Sequence, residues 1–351
     1  MSILGVYEMN KLLGTNAVIE ENRALFGKTS WPRTLLFFIA VYIIGSTITG
    51  IVSAVPQLIY IFSNEAVKAY MFSAGATADG VLKLIESEGG YPLWTTVFSL
   101  AANVFIGLTA LFFCLKSEKR SLFGAGLYKK GAAAEYAAGF AIGALMFGAV
   151  ILADVAAGEF EGIKLNSPVP VAAVCFMLFG FVLQSAGEEL LMRSFFMVTA
   201  SRCAGGVPVA AAANSLIFAA LHLRNPGITP LAIVNLTLYG LFASVYFLRR
   251  GSVWGICAVH AAWNFVQGSV FGAAVSGNSI GPSLFATSLS GGVFSGGAFG
   301  PEGGLSTTVV FALGIALVLL SKPKKIIPPP LRIGRRFYTS FPERKDFSKE
   351  I

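Results

Sequence analysis

The chain has 351 residues, of which 55% are hydrophobic and only 13% are charged, and its mean hydropathy is +0.72. Soluble globular domains usually carry about 25% charged residues, so a water-soluble protein of this composition would lack polar side chains to cover its surface. The composition therefore excludes an ordinary soluble domain and indicates a bundle of membrane-spanning helices.

Eight apolar stretches are long enough, or nearly long enough, to span about 30 Å of hydrocarbon. Together they predict an all-α, polytopic transmembrane bundle of about eight spans. We place this bundle at residues 34–321, between an N-terminal cytoplasmic segment (1–33) and a basic cytoplasmic tail (322–351). The predicted spans are Thr34–Ile61, Tyr91–Leu115, Ala132–Ala157, Val169–Ala200, Val207–Leu221, Leu231–Leu248, Val253–Val275 and Thr307–Leu320.

The loops between these stretches alternate in charge. The N-terminal segment and the connections after the second, fourth and sixth spans carry Lys and Arg. By contrast, the loop from Asp154 to Lys164 is mainly acidic, and Ser276–Ser306 has no basic residue but nine glycines. Because basic loops stay in the cytoplasm, both termini are predicted to be cytoplasmic. The Gly-rich segment 276–306 is predicted to be an external loop that packs over the mouth of the bundle.

The tail carries nine Lys and Arg residues against three Asp and Glu between Lys322 and Ile351. Beside a membrane span, such a charge excess is typical of contact with anionic lipid headgroups. We therefore expect anionic lipids, and not nucleic acid, as partners of the tail.

Ionisable residues inside the apolar stretches are few. Such a side chain costs about 2.5–3.5 kcal/mol at the centre of the bilayer, so its presence indicates a functional site. The fourth span carries Glu188, Glu189 and Arg193, and the chain has only two histidines, His222 and His260. This concentration of polar chemistry is the main functional signal in the sequence.

Helix geometry separates the two glutamates. Glu189 precedes Arg193 by four residues, which is the favourable orientation for an ion pair across one turn. Glu188 points about 100° away and shares its face with Gln184, so it is left for proton chemistry. The alternative is that both acids pair with Arg193 and only lock the packing of the helices.

A second polar face lies on the seventh span, where His260, Asn264 and Gln267 follow one another at helical spacing. A single such residue often makes only a hydrogen bond between helices. Three on one face are better explained as the lining of a wet cavity. His222 follows Phe218 by one turn at the end of the fifth span.

Three motifs therefore occur in order on successive apolar segments: EExxxR, FxxxH and HxxxN. This pattern resembles the signature of the CAAX-protease (CPBP) family of intramembrane endopeptidases. That family includes the eukaryotic CAAX prenyl endopeptidases and bacterial relatives, some linked to bacteriocin processing or immunity. The resemblance covers about Val169–Phe271, and it rests on Glu188, Glu189, Arg193, Phe218, His222, His260 and Asn264.

The resemblance implies an endopeptidase that hydrolyses a peptide or protein in or at the membrane, with or without a lipid anchor. Glu188 would act as general base on a water that His222 also holds. His260 and Asn264 would donate hydrogen bonds to the oxyanion, while Glu189 and Arg193 would orient the site. No cofactor is expected. The alternative is a zinc ion held by Glu188, His222 and His260 with one open position.

Two other classes of function stay open at this point. Buried Glu, His, Asn and Gln side chains also suit a proton-coupled transporter, although such proteins place them in two repeats and here they fall between residues 184 and 267. A non-catalytic immunity or scaffold protein of the same fold would keep the motifs without turnover. In every case the chain is a multi-pass membrane protein, of the plasma membrane if it is bacterial.

The protease hypothesis makes a geometric demand. Glu188, His222, His260 and Asn264 should converge in one water-filled pocket, which we expect to open toward the cytoplasmic half. The Glu188 carboxylate should lie within about one water of the His222 ring. Since the fifth span is short, the fourth must extend beyond the bilayer past Arg193 for the two to meet.

The charge alternation gives a test of topology. Reporter fusions at Lys129 and at Lys324 should both report the cytoplasm, and a fusion near Gly297 should report the outside. The opposite signal at any of the three positions would contradict the eight-span arrangement.

Overall fold

A computed structural model of the protein describes residues 13–324 and the backbone of two short strands, Leu331–Ile333 and Arg336–Tyr338. The described chain is mostly helical, which confirms the predicted fold class. Five of its helices are long and apolar enough to cross a membrane. They are Trp31–Ser63, Leu93–Lys116, Ala132–Ala156, Val171–Ala200 and Pro230–Arg250. The count of eight spans and the orientation of the termini stay predictions. Beyond residue 324 the predicted tail lies outside the described residues, except for the two strands.

Every predicted span nevertheless falls on one helix or on two consecutive helices. The elements follow in chain order. They are α1 Ala17–Phe26, α2 Trp31–Ser63, α3 Glu65–Met71, α4 Ala78–Ser87, α5 Leu93–Ala102, α6 Val104–Lys116, α7 Ala132–Ala156, β1 Phe160–Leu165, α8 Val171–Ala200, α9 Gly206–Leu221, α10 Pro230–Arg250, α11 Val253–Phe265, β2 Phe285–Leu289 and α12 Leu305–Leu320. Strands β3 (Leu331–Ile333) and β4 (Arg336–Tyr338) follow.

The two ends of the bundle differ in charge. At one end, which we call the basic end, the Glu135 carboxylate binds Arg250 at 2.7 Å and Lys324 at 2.8 Å, and Glu118 binds Arg202 at 2.6 Å. The Gly-rich segment covers the opposite end. There β2 pairs antiparallel with β1, the strand that follows α7. The segment that the sequence predicted as a loop is thus anchored to the bundle by a small sheet.

Glycines allow α7 and α11 to cross in close contact. A Cβ on Gly139 would lie 2.1 Å from the Gly255 carbonyl oxygen, and one on Gly143 would lie 2.2 Å from the Val259 carbonyl oxygen. Only glycine permits backbones to approach so closely, as in the GxxxG pairs of membrane helices. Because His260 follows Val259 directly, this crossing fixes the height of His260 in the bundle.

A second close contact places Glu188. Helices α5 and α6 are separated at Asn103, whose carbonyl oxygen would lie 2.1 Å from a Cβ on Gly187. Gly107, one turn further along α6, packs against the Gly187 backbone in the same way. The backbone just before Glu188 is therefore wedged against the start of α6.

The lengths of α8 and α9 determine where His222 lies relative to Glu188 and Glu189. Helix α8 has 30 residues, about 45 Å at 1.5 Å per residue, whereas α9 has 16, about 24 Å. The chain reverses between them at the basic end, so α9 ends part-way along α8. Helix α8 continues seven residues past Arg193, and α9 leaves His222 level with the middle of the bundle. The extension of the fourth span beyond the bilayer stays a prediction.

The glycine crossing gives a matched pair of variants. Gly143→Ala should destabilise the protein by about 1–3 kcal/mol, because α7 and α11 must move apart to admit the methyl group. Gly148→Ala lies on the same helix with no atom within 4 Å of the added carbon, so it should be neutral or slightly stabilising. Thermal unfolding in detergent measures both, and equal melting temperatures for the two variants would contradict the account.

Candidate active site

One cavity of about 500 Å³ brings the polar motif residues together. Glu188, His222, His260 and Asn264 all line it, from helices α8, α9 and α11. The convergence that the sequence demanded is therefore present. The cavity lies among helices that the sequence predicts to span the membrane, and its walls combine these polar groups with apolar side chains.

The buried centre of the site is the carboxylate of Glu189. Its Oε1 atom lies 3.0 Å from Arg193 Nη1, 3.0 Å from Tyr239 Oη and 3.0 Å from His260 Nδ1. Glu189 and Arg193 are completely buried, and Tyr239 and His260 are nearly so. The predicted ion pair across one helical turn is present, and two further donors reach it from α10 and α11.

Arg193 is held on several sides. Its Nη2 donates to the Gly240 carbonyl oxygen at 3.3 Å, and its guanidinium lies over the rings of Phe218 and Tyr239 at 5.1 and 5.5 Å. Stacking on aromatic faces and a carbonyl partner compensate a cation that has lost its water. This explains why the arginine of the EExxxR motif can lie in an apolar interior.

Both histidine rings are oriented through Nδ1. His260 contacts the Glu189 carboxylate with Nδ1, and its Nε2 lies 3.9 Å from Glu188 Oε2. His222 contacts the Phe218 carbonyl oxygen with Nδ1 at 2.8 Å. A carboxylate and a carbonyl can only accept, so Nδ1 carries the proton in both rings. Each Nε2 is then left for chemistry in the cavity.

Glu188 has a different environment from Glu189. Its side chain keeps 21% exposure, and Oε1 is 3.4 Å from Gln184 Nε2. The Gln184 oxygen in turn accepts from Asn264 Nδ2 at 3.4 Å. Glu188 thus has access to solvent in the cavity and shares no hydrogen bond with Arg193, as the helix geometry predicted.

Two of the three motif-bearing helices widen near their motif residues. Helix α8 continues as a π-helix at Leu190–Met197, and α11 continues as a π-helix at Val266–Val270. Such turns are rare and occur often at functional sites. Here the first begins directly after Glu189 and contains Arg193, and the second begins two residues after Asn264.

One expectation differs from the structure. Gln267 does not join His260 and Asn264 in the cavity, because its amide donates to the Ala274 carbonyl oxygen in the turn that ends α11. Among the described residues, the lining extends to the Gly-rich segment and not to the basic end. The lining residues from the Gly-rich segment, together with the residue just before it, are Val275, Ser276, Asn278, Ser279, Ile280 and Glu302. The opening of the cavity toward the cytoplasmic half stays a prediction, because the orientation of the bundle in the membrane is itself a prediction.

Sequence reasoning missed two residues of the site. Tyr239 gave no signal, because a tyrosine in an apolar helix is common and its partner lies 50 residues away. Glu302 did give one, since it is the only charged residue in Ser276–Ser306. Burial raises the pKa of the Glu302 carboxyl, and hydrogen bonds from Ser276 oppose that rise.

The three residues predicted as alternative zinc ligands are not grouped as a metal centre requires. Among residues 13–324, no three His, Cys, Asp or Glu side chains are grouped closely enough to hold a metal ion. Glu188, His222 and His260 therefore do not form a three-ligand zinc set in this geometry. We derive no step through a metal.

The cavity is thus surrounded by a buried Glu–Arg pair and two oriented histidines. Residues 170–266 match the family model of type II CAAX prenyl endopeptidase Rce1-like proteins. The matched range agrees with the predicted Val169–Phe271 and confirms the resemblance to the CAAX-protease (CPBP) family. No curated protein and no solved structure matches the chain.

The buried ion pair makes a prediction about stability. Arg193→Ala would leave the Glu189 carboxylate buried without its countercharge, which should cost about 3–5 kcal/mol and lower the folded yield. Arg224→Ala removes an exposed arginine just after His222 and should leave both unchanged. Melting temperature and the monodisperse fraction on size exclusion report the effect. An Arg193→Ala protein as stable as the wild type would contradict this assignment.

Proposed function

We propose that the protein is an intramembrane endopeptidase that hydrolyses a peptide bond of a membrane-associated peptide or protein, with Glu188 as general base. The observation that carries the proposal is the arrangement around the cavity. A partly exposed carboxylate, two histidines with fixed rings and an amide all face one volume. A buried second carboxylate holds one of those rings in place.

The first step is attack by water. Glu188 removes a proton from a water in the cavity, and Nε2 of His222 accepts a hydrogen bond from the other O–H of the same water and so orients it. The oxygen attacks the carbonyl carbon of the peptide. His222 suits this role because its Nδ1 already donates to Phe218, which leaves a lone pair on Nε2.

The second step needs stabilisation of the oxyanion. His260 in its protonated form donates from Nε2, and Asn264 donates from its amide. The charge of that imidazolium is balanced by Glu189 at 3.0 Å. Before the attack Glu188 at 3.9 Å also balances it, and Glu188 becomes neutral once it holds the proton of the water. The intermediate then breaks when Glu188 returns its proton to the leaving nitrogen, which frees the new amine and the new carboxylic acid.

Glu189 and Arg193 position the other groups and do not touch the substrate. Neither lines the cavity, and both are completely buried. Their function is to hold the His260 ring so that Nε2 reaches the reacting atoms. Preorganisation of this kind lowers the barrier because no reorientation is needed during the reaction.

The wider setting of the enzyme belongs to the same proposal. The chain crosses the membrane about eight times with both termini in the cytoplasm, and the tail contacts anionic lipids. In a bacterium this membrane is the plasma membrane. The reaction uses no metal cofactor.

Glu188→Gln separates catalysis from folding. The amide keeps the shape of the side chain but cannot take a proton, so cleavage should fall by about 100-fold or more while the melting temperature stays near normal. Internally quenched peptides and the purified protein in liposomes provide the assay, and Glu161→Gln on strand β1 provides an exposed control. Unchanged cleavage, or misfolding as severe as that of Arg193→Ala, would contradict the role of Glu188. A wild type that cleaves no peptide would favour the non-catalytic scaffold.

A further inference from the structure

Among the described residues, the side chains that line the cavity include carboxylates but no Lys or Arg. Glu188 and Glu302 contribute carboxylates, and His222 and His260 contribute imidazoles. The guanidinium of Arg193, which lies beside the lining residues Phe218 and Tyr239, is already neutralised by Glu189. A negatively charged group in this cavity would meet two carboxylates and no permanent cation.

Glu302 is held firmly at the wall formed by the Gly-rich segment. Its Oε2 accepts from the Ser276 backbone N–H at 2.6 Å and from the Ser276 hydroxyl at 2.7 Å. Its Oε1 accepts from the indole N–H of Trp263 at 3.2 Å. Both oxygens face N–H groups that can only donate, and these hydrogen bonds oppose the rise in the Glu302 pKa that burial causes and favour the ionised carboxylate.

The backbone around this carboxylate is fixed as well. Asn235 Nδ2 donates to the carbonyl oxygens of Glu302 and Gly304, each at 2.8 Å. Asn225 Nδ2 donates to the Ser276 carbonyl oxygen at 3.0 Å. Asn225 lies three residues after His222, and Trp263 lies three residues after His260. Glu302 is therefore tied to both histidine-bearing elements, and its charge has a constant position relative to the reacting centre.

We propose that Glu302 determines substrate specificity, because its fixed charge excludes acidic groups from the part of the peptide that lies against the Gly-rich segment. Peptides that are neutral or basic in this part fit the cavity, whereas a Glu or Asp side chain does not. This inference rests on the proposed endopeptidase function. It concerns a residue outside the range 170–266 that matches the family model.

Matched peptides test the proposal. We would use internally quenched apolar decapeptides in which each position in turn is Glu, Gln or Lys, with the protein in liposomes of uncharged lipid. At one or more positions on one side of the cleaved bond, the wild type should cleave the Gln and Lys peptides about tenfold or more faster, in kcat/KM, than the Glu peptide. Glu302→Gln should bring this ratio close to one.

Glu159→Gln is the matched control. Glu159 also holds the Gly-rich segment, through the Ser295 N–H and hydroxyl and the Phe294 N–H, but it does not line the cavity. Glu159→Gln should therefore loosen the Gly-rich segment without changing the ratio of Gln-peptide to Glu-peptide cleavage. Ser276→Ala, which keeps the Glu302 charge and removes one donor, should also retain the discrimination.

The outcomes separate the two proposals. Three results would overturn the role of Glu302 and leave the endopeptidase proposal intact. The wild type could cleave Glu and Gln peptides equally, the Gln-to-Glu cleavage ratio could stay the same in Glu302→Gln, or the ratio could fall as far in Glu159→Gln as in Glu302→Gln. If no peptide is cleaved, the endopeptidase proposal fails. Binding of the same peptides, followed by fluorescence anisotropy, then decides whether Glu302 discriminates by charge.

Discussion

One oxygen of the Glu189 carboxylate accepts hydrogen bonds from Arg193, Tyr239 and His260, and these residues lie on three helices, α8, α10 and α11. A carboxylate buried among apolar helices is tolerated only when donors replace its water. Since each donor must lie near 3 Å from the same atom, the three helices have little freedom to shift. The Gly143 and Gly187 contacts permit the close packing that this requires.

The orientation of the histidines follows from this interior. Glu189 holds Nδ1 of His260, and the last turn of α9 holds Nδ1 of His222 through the Phe218 carbonyl. Both rings therefore present Nε2 to the cavity, where Glu188 keeps contact with solvent. The two adjacent glutamates thus differ in their surroundings: Glu189 is buried and accepts three hydrogen bonds with one oxygen, whereas Glu188 keeps the contact with solvent that its proposed role in proton transfer requires. The Gly-rich segment closes the remaining wall and adds the charge of Glu302.

Much of this site was predictable, because charged residues in apolar helices are rare and costly. The i, i+4 spacing identified Glu189 and Arg193 as a pair, and the three motifs identified Glu188, His222, His260 and Asn264. Contacts between distant segments were not predictable. Tyr239 meets Glu189 only because α10 packs beside α8, and Gln267 turns to Ala274 because α11 ends in a π-helix. The strand β2 could not be seen, since its pairing with β1 joins residues more than 100 positions apart.

The chain's two histidines allow a direct measurement of the central claim. Protein labelled with ¹⁵N only at histidine gives two ring systems, which a His222→Gln variant assigns. Because Glu189 and the Phe218 carbonyl can only accept, the account predicts that Nδ1 carries a proton in both rings at neutral pH, with His260 Nδ1 in a hydrogen bond to a carboxylate. A neutral His260 with its only proton on Nε2 would contradict the account, because Glu189 would then not orient the ring.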